Sequence, residues 1–237
     1  MKRVGVISDV HGNAYALDAV LQSAVELGIQ SFLVLGDLVG YYHHPRRVLE
    51  LLSAFNVVAI KGNHEDILAE YVKGDPGFQL RIDAKYGLGH NYAIRELPFG
   101  KIEELVGLPD RQSVPLTDDF GVLLTHGSPR DKSEYIYPDS ERQTLESLED
   151  ARYQMIFMGH THYPMTFQGQ YSQLVNPGSV GQSRMQGGIA NWGYIEVAQE
   201  KFVAVGTPYD VSPLLAELSR MQAPEYLSSI LKRNNKK

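Results

Sequence analysis

The chain contains no cysteine, which removes both disulfides and thiolate metal ligands from consideration. It also lacks any apolar run near the ~18–20 residues needed to cross a bilayer, so no membrane association is expected. The opening Met1-Lys2-Arg3-Val4-Gly5-Val6-Ile7 meets charge again at Asp9, too soon for the apolar region of a signal peptide. Cytoplasmic residence is the expectation. A basic excess is missing too. The 22 Lys and Arg residues stand against 28 Asp and Glu, for a formal charge of −6, so no strong grip on nucleic-acid backbones is expected. Internal repeats and low-complexity linkers are absent. Residues 1–237 are therefore expected to form one domain. The closing Lys232-Arg233-Asn234-Asn235-Lys236-Lys237 is read as a solvated, frayed tail.

What is present is an ordinary globular composition, 43% hydrophobic and 21% charged, arranged in alternating strand and helix signals. Val4–Ile7 is a short apolar run suited to a buried parallel strand. Asn13 can cap a helix carrying Leu17, Val20, Leu21, Ala24 and Leu27, closed by Gly28. Phe32–Leu35 and Val57–Ile60 repeat the strand signal around a helix opened by Pro45. This alternation predicts an α/β layer architecture. Residues 66–108 read as a helical excursion that can overhang a cleft. Strand signals return at Gly121–Thr125 and Met155–Met158, with a polar helix near 140–150 between them. Beyond them, Met165–Phe167, Gln173–Val175, Tyr194–Val197 and Phe202–Val205 read as antiparallel strands. Two terminal helices, each with an early proline, follow near 213–221 and 224–232.

The residues that carry chemistry cluster just beyond the apolar runs. Asp9 and His11 lie two apart after the first strand, and on extended backbone both side chains point one way. Asp37 in Gly36-Asp37-Leu38-Val39-Gly40 follows the second strand, at the edge where open α/β sheets bind ligands. Asn63 and His64 in Gly62-Asn63-His64-Glu65 follow the third. His126 ends the fourth run, and His160 and His162 end the fifth. Singly, each cluster reads equally well as a cap, a turn or a surface histidine. Together they offer several neutral imidazoles, few carboxylates and one carboxylate able to bridge, the donor set of a hydrolytic centre with two divalent cations. Glu65 is read as a helix-dipole partner rather than a ligand.

The ordered set Asp-x-His, Gly-Asp-x-x-Gly, Gly-Asn-His-Glu, Thr-His-Gly and Gly-His-Thr-His, spanning positions 9–162, resembles the calcineurin-like metallophosphoesterase superfamily. Asn176-Pro177-Gly178-Ser179-Val180-Gly181 is similar to the turn after the last motif in small bacterial members. The resemblance implies a four-layer α/β/β/α sandwich with mixed sheets. It implies one metal on Asp9, His11, Asp37 and His162, and a second on Asp37, Asn63, His126 and His160, with Asp37 bridging. Manganese is the first expectation, with iron, zinc, cobalt or nickel also suited to such a site. His64 matches the histidine that contacts the phosphate and protonates the leaving oxygen.

The expected activity is hydrolysis of a small or nucleotide-like phosphodiester by a water held between the metals. Dinucleoside polyphosphate hydrolysis is the second reading. Protein phosphatases of the superfamily carry an acid and an Arg where this chain has Gly40 and Tyr41, which argues against that activity. A non-catalytic scaffold, as in the retromer subunit that resembles these enzymes, is opposed by the presence of His64 and every ligand. For the substrate, Arg130 and Tyr135 in the loop after His126 are the candidate contacts. Tyr41, Tyr42, His43 and His44 are read as packing against the excursion or as faces for a base. His90 is a further candidate near the phosphate.

Overall fold

The computed structural model describes residues 2–234. Its first half runs β1 (Arg3–Ile7), α1 (Ala14–Glu26), β2 (Ser31–Val34), α2 (Pro45–Leu52), β3 (Asn56–Ala59), α3 (Asn63–Tyr71), α4 (Pro76–Tyr86), α5 (Gly89–Glu96) and α6 (Phe99–Val106). Then come β4 (Arg111–Pro115), β5 (Gly121–Thr125), α7 (Arg142–Glu146), β6 (Met155–Phe157), β7 (Met165–Gln168) and β8 (Gln173–Asn176). The chain closes with β9 (Ile189–Glu196), β10 (Lys201–Pro208), α8 (Ser212–Arg220) and α9 (Glu225–Leu231).

The strands form two sheets, ordered β10-β9-β1-β2-β3 and β4-β5-β6-β8-β7. Each has a parallel trio, β1, β2 and β3 in the first and β5, β6 and β8 in the second. Antiparallel strands complete both. The apolar runs of β1, β2, β5 and β6 are continuous because both faces are buried, whereas β3 lies at the sheet edge and is more exposed. Val4 and Val6 face the second sheet, while Ile7 joins the helical side; Leu33 and Leu35 likewise oppose Phe32 and Val34. Between the sheets Val6, Leu33 and Ile60 meet Val122, Leu124 and Phe157. Leu17 and Val20 of α1, Val48 of α2 and Ile102 of α6 cover the outer face of the first sheet, where Trp192 of β9 joins the same core. On the far face Leu145 and Leu148 cover Ile156 and Leu174. The four-layer mixed-sheet sandwich follows, with a thin last layer.

Three expectations are corrected. Gln173–Asn176 pairs with β7 in an antiparallel hairpin but with β6 in parallel, placing its carboxyl end beside those of β5 and β6. β4 was not anticipated, since Arg111-Gln112-Ser113-Val114-Pro115 is a polar edge strand with no fully buried residue. The tail is not frayed through Asn234. The Gly187 N–H donates to the Arg233 carbonyl at 2.8 Å, and Asn234 bridges to Gln186. Residues 235–237 lie outside the described residues.

The excursion comprises α3 to α6, and α8 and α9 bury Leu214, Leu218, Leu227 and Leu231 against Tyr42. Among the described residues no helix is long and apolar enough to cross a membrane.

Candidate metal centre

Every parallel strand ends at the same rim. Asp9 and His11 follow β1, Asp37 follows β2, and Asn63 and His64 open α3 after β3. His126 follows β5, His160 and His162 follow β6, and the Asn176–Gln182 turn follows β8. The Asp9–His11 pair does not converge by extended geometry, as the spacing suggested. β1 stops at Ile7, and Asp9 and His11 take left-handed backbone with φ of 54° and 51°. Asp37 (φ 54°), His160 (68°) and His162 (61°) do the same. Left-handed backbone costs an ordinary L-residue about 1–2 kcal/mol, so the surroundings must hold it. The His11 N–H donates to the Asp37 carbonyl at 2.8 Å, Gly12 to Leu38 at 2.9 Å, and Gly181 to Asp9 at 3.0 Å. The Ser179 hydroxyl adds a bond to the Asp9 carbonyl at 2.7 Å.

The side chains gather in two groups. His11 Nε2 lies 3.1 Å from His162 Nε2, and Asp9 Oδ1 lies 3.3 Å from His162 Nε2 and 3.8 Å from His11 Nε2. His126 Nε2 lies 3.1 Å from Asn63 Oδ1 in the second group, which His160 completes. Asp37 belongs to both: its Oδ2 is 3.7 Å from His11 Nε2 and 3.3 Å from His126 Nε2. Its Oδ1 is occupied separately by the His64 backbone N–H at 2.8 Å. One oxygen thus faces both groups, and the structure brings together the seven residues that the motifs singled out.

Imidazole orientation supports ion binding. His11, His126 and His162 each turn Nδ1 to a backbone carbonyl, of Val39 (3.2 Å), Leu35 (2.7 Å) and Gln182 (3.1 Å). With the proton on Nδ1, the Nε2 lone pair points inward, the usual outer support of a metal-bound histidine. Among the seven clustered residues two buried atoms remain without hydrogen-bond partners, Asp9 Oδ1 and His160 Nε2. Buried polar atoms are rarely left unpaired, and both orphans face the cluster a cation would fill. The residues fit two divalent ions.

Glu65 is the residue whose role sequence reasoning undervalued. Fully buried, it accepts N–H groups of Asp37, Leu38 and Gly62, each at 2.8 Å. It ties the bridging loop to the turn before α3. At Gly62 itself a Cβ would overlap the Asp37 carboxylate, so glycine is required there.

Charge within the metal-free cluster is uneven. Burial raises the Asp9 pKa, but His162 and His126 outweigh it and hold the carboxyl at about 2. Burial lowers His11 to about 4, and takes His64 well below its ordinary value despite the nearby Asp37. His160 is lowered for the same reason, with His126 adding to it. His126 moves the other way: burial opposes its charge, yet Asp37, and behind it Asp9, lets it keep a proton up to about 10.

His64 stands in an aromatic box. Its ring stacks on His90 at 5.1 Å and 12°, with Tyr41 at 4.9 Å and Tyr86 at 4.8 Å. His90 therefore backs His64 and does not line the cleft. Gly40 (φ 90°) presses against the same ring, and a Cβ there would overlap His64 Nδ1. That nitrogen has no partner. The acid that protein phosphatases carry at this position thus has no room here.

The cleft over the ligands holds about 230 Å³ and is lined by Tyr41, Tyr86, Tyr135, Tyr137, Tyr163 and Arg184 besides the centre itself. Tyr135 lies against His160 with ring centroids 4.0 Å apart. Arg130 is elsewhere: it pairs with Glu134 at 3.5 Å and lines a separate cavity beside Arg111. The cleft's guanidinium is Arg184, two residues beyond Gln182. Tyr163, directly after His162, was legible as a neighbour of the motif; Tyr86 and Arg184 carried no signal of their own. Tyr42 packs under the C-terminal helices instead of facing a ligand. A larger apolar groove of about 740 Å³, beside Leu49 and Leu105, contains none of these residues.

This fold and this cluster place the chain in the calcineurin-like phosphoesterase superfamily, whose domain profile matches residues 1–199. Over 251 aligned residues it is 28% identical to an uncharacterised protein of Methanocaldococcus jannaschii, with 96% of each chain covered. A hypothetical protein from Pyrococcus horikoshii has a similar structure, with a TM-score of 0.83 at 23% identity over 100% of both chains. So does a metallophosphoesterase from Sphaerobacter thermophilus, with a TM-score of 0.78 at 26% identity, covering 97% of this chain and 98% of that one.

Proposed function

We propose that the protein is a metal-dependent phosphoric ester hydrolase acting on a nucleotide-like phosphodiester. The observation that carries this reading is the pair of ligand groups sharing Asp37 Oδ2, with His64 on the cleft wall beside them. Two divalent cations bound there supply neutralisation of the phosphate charge and activation of a water at neutral pH. Manganese is the first ion to test, because the mixed N/O donor set accepts it along with iron, zinc, cobalt or nickel.

The chain's own groups supply the rest. Asp37, its loop pinned by Glu65, sets the spacing of the two groups. His64, neutral in the metal-free protein because of its burial, presents an imidazole N–H to the phosphate. Once the bound anionic ester lets it take up a proton, the imidazolium passes that proton to the departing oxygen and returns to neutral. Arg184 lines the same cleft, and its guanidinium would pair with the second non-bridging oxygen. The tyrosines that ring the cleft favour a planar group on the ester, since every base offers a face for stacking. Next to the cleft, and sharing Tyr137, Tyr163 and Arg184 with it, is a cavity of about 500 Å³ that adds Pro138, Pro164 and Met185. A second nucleoside would fit that side, which favours dinucleoside polyphosphates as the alternative substrate.

The test is a panel of bis-p-nitrophenyl phosphate, mononucleotides, cyclic nucleotides, dinucleoside polyphosphates and a phosphopeptide, run with manganese-loaded protein. Hydrolysis of diesters that stops on chelation is expected. His64→Ala should retain its ions and lose about 10²–10⁴-fold in turnover, most for poor leaving groups. Protein that holds two ions yet cleaves nothing on the panel would overturn the proposal in favour of a scaffold.

A further inference from the structure

The chain has eight histidines. His11, His64, His90, His126, His160 and His162 belong to the centre or its backing; His43 and His44 do not. These two adjacent residues end the loop that starts at Asp37, immediately before α2. Both send Nε2 to a single atom, Oε2 of Glu217 in α8, at 3.0 and 3.1 Å. The other carboxylate oxygen accepts the Tyr15 hydroxyl at 2.8 Å, which fixes the orientation of Oε2. His43 is buried, whereas the His44 and Glu217 side chains are 20% and 21% exposed, leaving solvent access on one side.

We propose that His43, His44 and Glu217 form a third cation site, separate from the dinuclear centre, for a borderline divalent ion such as zinc. Two imidazoles and one carboxylate with an open fourth position are a familiar zinc donor set, and they disfavour magnesium and calcium. With bonds of about 2.0–2.1 Å, a tetrahedral ion needs donors about 3.3 Å apart. The 3.0 and 3.1 Å separations are close to that, and to the 3.1 and 3.3 Å approaches within the main centre. The same distances suit two N–H donors sharing one carboxylate oxygen, and that arrangement is the outcome the experiment must exclude.

The third site is built more loosely than the centre. Tyr15 orients its carboxylate, but Nδ1 of His43 and of His44 has no partner. Absent outer partners of this kind cost about 10–100-fold in metal affinity. The ion here is therefore the first to leave under a chelator. Its position joins α8 to the loop that carries Asp37, so it fastens the C-terminal helices over that loop.

The experiment reloads chelator-stripped full-length protein with zinc, desalts it, and counts zinc per chain in wild type, Glu217→Gln and His44→Gln. Wild type is expected to hold one equivalent more than either variant. With no cysteine, and with every other histidine in the centre or packed behind it as His64 and His90 are, that equivalent has no alternative exposed imidazole or thiolate site. Tyr15→Phe keeps all three ligands and guards against misfolding in the other variants. It should bind the extra equivalent about 10–100-fold more weakly, and zinc should raise its melting temperature less than that of wild type. Equal zinc counts in wild type and Glu217→Gln, or a Tyr15→Phe titration identical to wild type, would overturn the site and leave a hydrogen-bonded cluster.

Discussion

The two sheets contribute opposite halves of the centre. All three oxygen donors, Asp9, Asp37 and Asn63, follow strands of the first sheet, whereas the second supplies only imidazoles, His126, His160 and His162. Both walls have the same construction, a parallel trio ending in tight loops, and the antiparallel flanking strands contribute no ligand. The difference lies in charge. Carboxylates on one wall attract cations, and neutral donors on the other avoid the repulsion that a second acidic wall would add. Two dications outweigh the two carboxylates, so the loaded rim is positive toward a phosphate.

That asymmetry can be broken from either side. The largest effect is expected for Asp37→Asn, which weakens the one group common to both ions. Neither ion should survive desalting, and hydrolysis should fall by more than the ~100-fold typical of losing a supporting residue. His160→Ala, on the imidazole wall, should release one ion of the two. Equal ion loss from both variants, counted by elemental analysis, would refute the shared-oxygen arrangement.

Next in size is Glu65→Gln. An amide has one acceptor oxygen where the carboxylate now serves three backbone N–H groups, so buried donors lose partners at about 1–3 kcal/mol each. A drop in melting temperature of about 5–10 °C is expected, with weaker metal binding as the Asp37 loop loosens.

The smallest effect is a proton count. In metal-free protein His126 keeps its proton up to about 10, while His11 is already neutral above about 4. An ion can bind only the deprotonated imidazole. Loading at pH 7 should therefore release a proton from His126 and none from His11, and affinity should rise with pH until His126 titrates by itself. An indicator-dye titration showing no release would contradict the charge assignment on that wall.

The convergence of these seven residues was legible because each cluster directly follows an apolar run, and strand ends converge when the strands are parallel. The place of Asp37 between the two groups could be anticipated, although the use of a single oxygen could not, since that depends on the His64 N–H claiming the other. Backbone shape at Asp9, His11, His160 and His162 was hidden. Only neighbouring glycines hint at sharp turns, and the hydrogen bonds that hold the Asp9 and His11 backbone come from Asp37, Ser179 and Gly181, far away in sequence. Arg130 misled because composition marks a loop without saying which way a side chain leaves it. Arg184 lay outside every motif, and its arrival at the cleft is a product of the turn after β8. β4 escaped because an exposed edge strand needs no apolar pattern.

The left-handed ligand positions imply a tension between durability and activity. Glycine at position 9 or 160 would relax the backbone and is expected to give a sturdier apoprotein that is useless as a catalyst. Selection for heat resistance alone would therefore erode this rim first, so bulky side chains at such unfavourable torsions are what a demand for ion binding, rather than for stability, would maintain.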